Sequence, residues 1–142
     1  MEAATSAPPA FTATCCCGAC SITVSGMPAI NAVCHCANCK HRTGSAFGWS
    51  AYFPKDRVTA TIGAFRTYSV PSTVAGEENL QERVFCGTCG TTLFWRSRDF
   101  EGLVGIAGGC VADPALPAPE VTVNNEGRCA WVTLPVGWRT EV

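Results

Sequence analysis

The chain has 142 residues, of which 47% are hydrophobic and 15% are charged, and a chain of this length and composition is expected to fold as one domain. Its 10 lysines and arginines are balanced by 11 aspartates and glutamates, so it lacks the excess positive charge by which proteins bind nucleic acid. It has no apolar run near the roughly 20 residues that cross a membrane and no basic and apolar leader for secretion, so we expect a cytoplasmic protein with no nucleic-acid or membrane partner.

Residues 1–10, with their Ala, Ser and Pro, are expected to form a flexible leader, followed by a single domain over residues 11–142. Short β-branched or aromatic stretches, separated by Gly, Pro and Asn, predict a mainly β fold. Residues 37–42 and 54–57 are expected to form short helical turns, and the proline-rich residues 114–119 a surface connection. The predicted strands are 21–25, 46–53, 58–61, 65–70, 83–85, 91–95, 103–107, 121–124 and 131–134.

The chain contains eleven cysteines. In a reducing compartment, clustered cysteines are more often metal ligands or catalytic groups than disulfides, so we expect them to bind metal. The first cluster is Cys15-Cys16-Cys17-Gly18-Ala19-Cys20. It offers two ligands as Cys15 with Cys17, as Cys17 with Cys20, or as Cys16 with Cys20, and the spacing does not choose among these pairs.

The second cluster, Cys34-His35-Cys36-Ala37-Asn38-Cys39, places three cysteines in a C-x-C-x-x-C array. Three thiolates this close together can bind one Zn²⁺ at about 2.3 Å, and three protein ligands with an open fourth position are typical of a catalytic zinc. The alternative is that a fourth protein ligand closes the site. The candidates for that ligand are His35, His41, Cys110 and Cys129.

The third cluster, Cys86-Gly87-Thr88-Cys89-Gly90, lies between two predicted strands. Two thiolates in a C-x-x-C turn can hold one metal, and glycine lets backbone N–H groups approach the sulfurs, so we interpret this segment as a zinc knuckle on a hairpin. A redox C-x-x-C is the alternative, but that motif is expected between a strand and a helix. A closed tetrahedral site needs four ligands, and the first cluster offers the missing pair.

Taken in this order, the three clusters resemble the glutathione-dependent formaldehyde-activating enzyme family, which also includes centromere-protein-V-like proteins. The match covers nearly the whole chain and includes Thr43-Gly44-Ser45-Ala46-Phe47 and Tyr52-Phe53-Pro54 between the clusters. The resemblance implies a β-tent of stacked antiparallel sheets with zinc-binding loops and few short helical turns. The tail departs from the family pattern, because Glu120-Val121-Thr122-Val123-Asn124 stands where relatives have a His-rich strand.

The resemblance also implies which cysteines share each metal, with two Zn²⁺ per chain. The implied ligands of a closed, structural site are Cys15, Cys17, Cys86 and Cys89. The implied ligands of the second site are Cys34, Cys36 and Cys39. Cys16 and Cys20 fall on variable positions of the family, and Cys20 is better interpreted as a small buried hydrophobe.

A zinc held by three thiolates favours a thiolate as its fourth ligand, which suits sulfur substrates. The resemblance implies a zinc-dependent carbon–sulfur lyase that acts on glutathione or a related thiol adduct, as S-(hydroxymethyl)glutathione synthase does in formaldehyde detoxification. One alternative is a non-catalytic zinc module, structural or for interaction, of the centromere-protein-V-like type. Another is a nucleic-acid zinc ribbon, but that needs a basic face which the charge balance does not provide.

Residues in and near the second cysteine cluster, Cys34 to Cys39, which we call the metal loop, are candidates to support the metal or bind the substrate. Asn38 lies inside the loop and is expected to support its ligands. Glutathione carries two carboxylates, and cations that could bind them are Lys40, Arg42, Arg66 and Arg96. The residues expected to line the same cavity are Ser45, Phe47 and Trp49.

Overall fold

A computed structural model describes residues 7–141 of the chain. Most of the predicted leader therefore lies outside the described residues, and the first strand begins at Ala10, one residue before the predicted start of the domain. The strands are β1 (Ala10–Thr14), β2 (Ser21–Ser25), β3 (Ile30–Cys34), β4 (Gly48–Pro54), β5 (Val58–Ile62), β6 (Phe65–Val70), β7 (Gln81–Cys86), β8 (Thr92–Ser97), β9 (Leu103–Ala107), β10 (Val121–Val123) and β11 (Arg139–Thr140). One α-helix, α1 (Ala37–Thr43), lies between β3 and β4. The mainly β fold of stacked sheets is confirmed.

The larger sheet has eight strands in the order β11-β10-β3-β4-β9-β8-β7-β6. Most neighbours are antiparallel, but β10 pairs in parallel with both β3 and β11. The parallel pairing brings Val123 of β10 beside Cys34 at the end of β3. The C-terminal part of the chain is therefore held against the second cysteine cluster.

The smaller sheet has three strands in the order β1-β2-β5. Its first two strands alternate strictly between buried and non-buried residues, as expected for a sheet with one face on a core and one in solvent. The buried side chains pack against the larger sheet, whose central contribution to this core includes the fully buried Phe53 and Leu93. The two sheets thus enclose the main hydrophobic core between them.

The opposite face of the larger sheet carries the fully buried indole of Trp95. This indole lies over Gly105, where any Cβ would overlap it, and Trp95 Nε1 donates a 3.1 Å hydrogen bond to the hydroxyl of Tyr52. The Arg42 guanidinium of α1 lies 4.2 Å from the centre of the Trp95 ring. Helix α1 therefore packs on the face of the sheet that points away from the main core.

Helix α1 forms because both ends are capped by its own sequence. The Cys36 sulfur accepts the Cys39 N–H at the start, and Gly44, at φ 63°, ends the helix by donating its N–H to Lys40 O. Glycine adopts this left-handed conformation without strain. The predicted helical turn over residues 37–42 is confirmed, and the turn predicted at 54–57 is a 3₁₀ turn at Lys55–Arg57.

Eight of the nine predicted strands are present, with ends that differ by up to two residues. The prediction of a strand over residues 131–134 is wrong, because those residues form a turn and an irregular segment. The edge of β10 that points away from β3 is paired with β11 instead. Strands β1, β3 and β11 were not predicted. The proline-rich connection is only partly on the surface, since Leu116 is buried in the main core.

Within residues 7–141, no helix is long and apolar enough to cross a membrane.

Candidate functional site

The first cysteine group joins the two sheets. Cys15 and Cys17 follow β1 of the smaller sheet, whereas Cys86 ends β7 of the larger sheet and Cys89 lies in the turn before β8. The four sulfur atoms all lie within 4.8 Å of one another. Cys20, which the spacing left open as a ligand, is outside this group and is buried, with its sulfur directed at Ala64 O.

The geometry of this group fits a tetrahedral zinc. The Sγ atoms of Cys15 and Cys17 are 3.6 Å apart, and those of Cys17 and Cys86 are 3.7 Å apart. A tetrahedron with zinc–sulfur bonds of about 2.3 Å has edges of about 3.8 Å. The donor set and its spacing are therefore those that a closed four-thiolate zinc site requires.

Hydrogen bonds at the knuckle of the first group, Cys86 to Gly90, favour thiolates. Backbone N–H groups of Cys89 and Thr88 point at the Cys86 sulfur and lower the pKa of its thiol. The Thr91 hydroxyl, 3.2 Å from the Cys89 sulfur, together with backbone N–H groups lowers the pKa of Cys89 to about 5. Since a metal binds the deprotonated sulfur, the knuckle is prepared for a cation.

The second group consists of Cys34, Cys36 and Cys39, whose sulfur atoms lie within 4.8 Å of one another. Cys34 ends β3, Cys36 caps α1, and Cys39 lies in the first turn of that helix. Hydrogen bonds from the Cys34 and Cys39 thiols, together with backbone N–H groups, lower the pKa of Cys36 to about 2. Contacts with Cys34 and Cys36 raise the pKa of Cys39, because ionisation of Cys39 would place a second thiolate beside that of Cys36.

Asn124 adds a contact to the second group that the sequence did not reveal. Its Nδ2 donates a 3.1 Å hydrogen bond to the Cys34 sulfur. Asn124 follows β10 and has the left-handed conformation, with φ 55° and ψ 46°, which asparagine tolerates better than most residues. The side-chain amide of Asn124 is therefore a neutral hydrogen-bond donor to Cys34, one of the prospective thiolate ligands.

No fourth His, Cys, Asp or Glu atom joins the second group among the described residues. His35 is fully buried, with Nε2 2.9 Å from the Thr122 hydroxyl and its ring packed against Phe47 at 5.7 Å between centroids. Cys110 packs against the hydrophobic cores instead. The geometry therefore favours three protein ligands over a closed site, and the identity of the metal stays a prediction.

Asn38 lies inside the metal loop, and its partner is a buried arginine that the sequence did not single out. Arg83 of β7 is 8% exposed, and its Nη2 donates a 2.8 Å hydrogen bond to Asn38 Oδ1 while its Nε donates to Gln81. Burial, and then the neighbouring Arg42 charge, lower the pKa of Arg83. Two guanidinium groups, of Arg42 and Arg83, therefore lie close to the second cysteine group.

The five residues predicted to bind the thiol substrate have other contacts. Lys40 Nζ donates to Gly127 O in the tail, and Arg42 covers Trp95 with its Nη2 buried and unbonded. Trp49 Nε1 donates a 2.7 Å hydrogen bond to Asn31, Phe47 packs on His35, and Ser45 is exposed. Their part in binding substrate stays a prediction.

The two more distant cations in the prediction lie on the edge strand β6 and on β8. Arg66 of β6 lies beside Gly87, in the knuckle of the first group. Arg96 of β8 lies opposite Glu82 of β7. Neither position adjoins the second group.

A groove of about 810 Å³ opens beside the second group. Cys34 and Cys39 are part of its wall, together with residues of β3, β4 and β10 and of the segments around Met27, Phe100 and Pro117. Ligand pockets in proteins typically measure 300–1,000 Å³. The three-cysteine group therefore has access to a space of the size that a small molecule needs.

Comparison with known proteins adds two findings. The family model described as glutathione-dependent formaldehyde-activating enzyme matches residues 10–126. The fold is similar to that of a Rhodobacter sphaeroides protein solved by crystallography, with a TM-score of 0.55 and 22% identity over 70% of this chain and 86% of that one. At this identity the similarity concerns the fold alone. Curated proteins yielded no match.

Proposed function

Because the chain belongs to the glutathione-dependent formaldehyde-activating enzyme family, we propose that it is a zinc-dependent carbon–sulfur lyase acting on glutathione or a related thiol adduct. The observation that carries this proposal is the convergence of three cysteine sulfurs, with Cys34 and Cys39 of that group lining a groove that a small molecule can enter. The first cysteine group has a different part, because its four sulfurs suffice for a closed site that links the two sheets.

The cysteines Cys34, Cys36 and Cys39 would hold the reactive Zn²⁺, and Cys15, Cys17, Cys86 and Cys89 the structural one. A zinc with three thiolate ligands supplies a position where a substrate thiol loses its proton at neutral pH. The chain's own groups support that chemistry, since the Cys39 N–H donates to the Cys36 sulfur and Asn124 donates to the Cys34 sulfur. Both contacts offset negative charge on the ligands.

The reaction joins a thiol to an aldehyde, or reverses that step. The sulfur's electron pair forms a bond to the aldehyde carbon, the carbon–oxygen π pair moves to oxygen, and that oxygen takes up a proton from solvent. With formaldehyde and glutathione the product is S-(hydroxymethyl)glutathione. The groove holds the body of the thiol and orients its sulfur, so proximity supplies part of the acceleration.

A cytoplasmic location is part of this proposal. All eleven cysteines are free in the structure, and a compartment that keeps thiols reduced preserves both ligand sets. Glutathione, formaldehyde detoxification and thiol-adduct chemistry all fit such a compartment.

The decisive experiment follows adduct formation by exchange NMR, with glutathione and formaldehyde incubated with the zinc-loaded protein. We expect acceleration over the uncatalysed reaction, its loss in Cys36→Ser, and no change in the control Cys129→Ser, whose sulfur lies outside both groups. A screen of glutathione conjugates for released thiol covers the reverse direction. If neither assay shows acceleration with glutathione or with an uncharged thiol such as 2-phenylethanethiol, while the protein holds two zinc ions, the protein is a non-catalytic zinc module instead.

A further inference from the structure

The groove beside the second cysteine group runs along strands β3 and β10 of the larger sheet. Ile30, Ala32 and Cys34 alternate along β3 and all line it, as do Val121 and Val123 on β10. Side chains two residues apart on a strand share one face. A substrate whose sulfur binds beside Cys34 therefore extends its body along β3 and β10, over aliphatic side chains interspersed with the polar Asn31, Ser50 and Asn124.

The far part of the groove is aromatic and apolar. The rings of Tyr52 and Phe100 lie 4.6 Å apart between centroids. Phe100 is 37% exposed and Met27 is 58% exposed, and both line the groove. Large apolar side chains that remain accessible in a concave site beside reactive groups favour an apolar ligand.

The charged side chains that line the groove are mainly acidic. They comprise three carboxylates, Asp99, Glu120 and Glu141, and one guanidinium, Arg139. Arg139 Nε is already 2.6 Å from Glu141, whereas Asp99 and Glu120 form no salt bridge within residues 7–141. The lining side chains therefore carry more negative than positive charge, which disfavours a bound anion, and the cations near the metal loop, Arg42 and Arg83, are not among them.

Glutathione is a poor match to this surface, because it carries two carboxylates and one ammonium. Each of its carboxylates would need a partner, and recognition of a carboxylate in proteins normally uses an arginine or lysine. The one arginine in the groove already has a carboxylate partner. Apolar and aromatic walls, by contrast, stabilise a hydrocarbon body in proportion to the area that they remove from water.

We infer that the groove selects a thiol, or its aldehyde adduct, with an apolar body and no carboxylate, and that glutathione is not its preferred substrate. This inference rests on the proposed function, because it assumes that the substrate sulfur binds at the three-cysteine group. It concerns only the part of the substrate that lies beyond the sulfur.

Cobalt-substituted protein tests the inference without any turnover, because binding of a thiolate to Co²⁺ changes its visible absorption. The first comparison is glutathione against glutathione diethyl ester, which have the same thiol but differ in their carboxylates. We expect the ester to bind about tenfold more tightly at low ionic strength, and the ratio to fall as salt screens the groove. A second comparison, 2-phenylethanethiol against 2-mercaptoethanol with each thiol's pKa taken into account, is expected to favour the aromatic thiol by at least about tenfold.

Variants locate the effect in the groove. The double substitution Asp99→Asn with Glu120→Gln is expected to reduce the preference for the ester severalfold, whereas Glu82→Gln, an exposed acid on β7 outside the groove, leaves it unchanged. Substitution Met27→Ser is expected to weaken 2-phenylethanethiol alone. Unaltered cobalt absorption without thiol shows that each variant has folded.

Two results would overturn the inference in distinguishable ways. If glutathione binds as tightly as its ester, the groove does not exclude carboxylates, although the proposed function stands. If none of the thiols alters the cobalt spectrum, the three-cysteine group does not bind substrate sulfur, and both the inference and the proposed function fail.

Discussion

Replacing one ligand in each cysteine group is expected to have very different effects on stability. Cys86→Ser removes a ligand from the group that joins the two sheets, and Cys36→Ser removes one from the group in the α1 loop. Both variants should lose one zinc of two. We expect Cys86→Ser to unfold or nearly unfold the protein and Cys36→Ser to keep its fold. The reason is that the loop of chain closed by the first metal is much longer than the loop closed by the second.

The magnitude follows from the sequence separation of the linked residues. Cys17 and Cys86, whose sulfurs lie 3.7 Å apart, are 69 residues apart, and a cross-link that closes such a loop stabilises by about 4 kcal/mol in the chain-entropy model. Cys34 and Cys39 close a loop of a few residues, for which the same relation gives about 2 kcal/mol. Since a whole domain is stable by only about 5–15 kcal/mol, loss of the longer link removes a large share of the total.

The assay is urea unfolding followed by circular dichroism, with zinc counted by elemental analysis in the same samples. Cys16→Ser is the control for the first group, because this exposed neighbour is outside the ligand set. Cys129→Ser is the control for the second. If Cys36→Ser destabilises the protein as much as Cys86→Ser does, or more, the assignment of the structural and reactive sites is reversed.

Further variants test individual contacts. Tyr52→Phe deprives the buried Trp95 N–H of its acceptor and is expected to lower the free energy of unfolding by about 1–3 kcal/mol at pH 7. Because burial raises the pKa of Tyr52, the wild type loses stability above pH about 10, where tyrosine in the unfolded chain ionises. Urea titrations should therefore show the difference in stability between wild type and variant narrowing above that pH. Gly105→Ala, whose Cβ would overlap the indole, should destabilise by about 1–3 kcal/mol, whereas Gly109→Ala, with nothing within 4 Å, should leave the melting temperature almost unchanged. Asn124→Gly removes a hydrogen bond to a ligand sulfur without straining the left-handed backbone, so chelator competition should show about 10–100-fold weaker zinc at the second site only.

The sequence predicted those features that depend on local spacing. The C-x-x-C knuckle, the capped helical turn at Ala37 and most strands each have a signal within a few residues. The sequence does not reveal strand β3, because Ile30–Cys34 is short and its last residue is also the first cysteine of the second cluster. Its burial on both faces near Cys34 also removes the alternation that reveals a strand with one exposed face.

The parts of the site that come from distant segments had no local signal. Arg83 is a single cation in a strand whose first half, Gln81-Glu82-Arg83, is polar, and such a stretch in a sequence resembles a solvated edge. Asn124 stood out only as a departure from the family pattern, whereas the structure shows it donating to Cys34. The groove combines segments near residues 27–34, 99–100, 117–124 and 139–141, and only the pairing of β10 with β3 brings the last two beside the first.

The distribution of charge around the second cysteine group bears on both parts of the proposal, the metal site and the groove. Arg83 is buried, and within residues 7–141 it has no carboxylate partner; the neutral oxygens of Asn38 and Gln81 accept its hydrogen bonds. A buried guanidinium needs compensating negative charge, and Cys39 and Cys36, once ionised, act on Arg83 in that sense by favouring its charged form. The guanidinium groups of Arg42 and Arg83 therefore lie near the second cysteine group without lining the groove, and under the proposed function apolar contact is the main basis for recognising a thiol there.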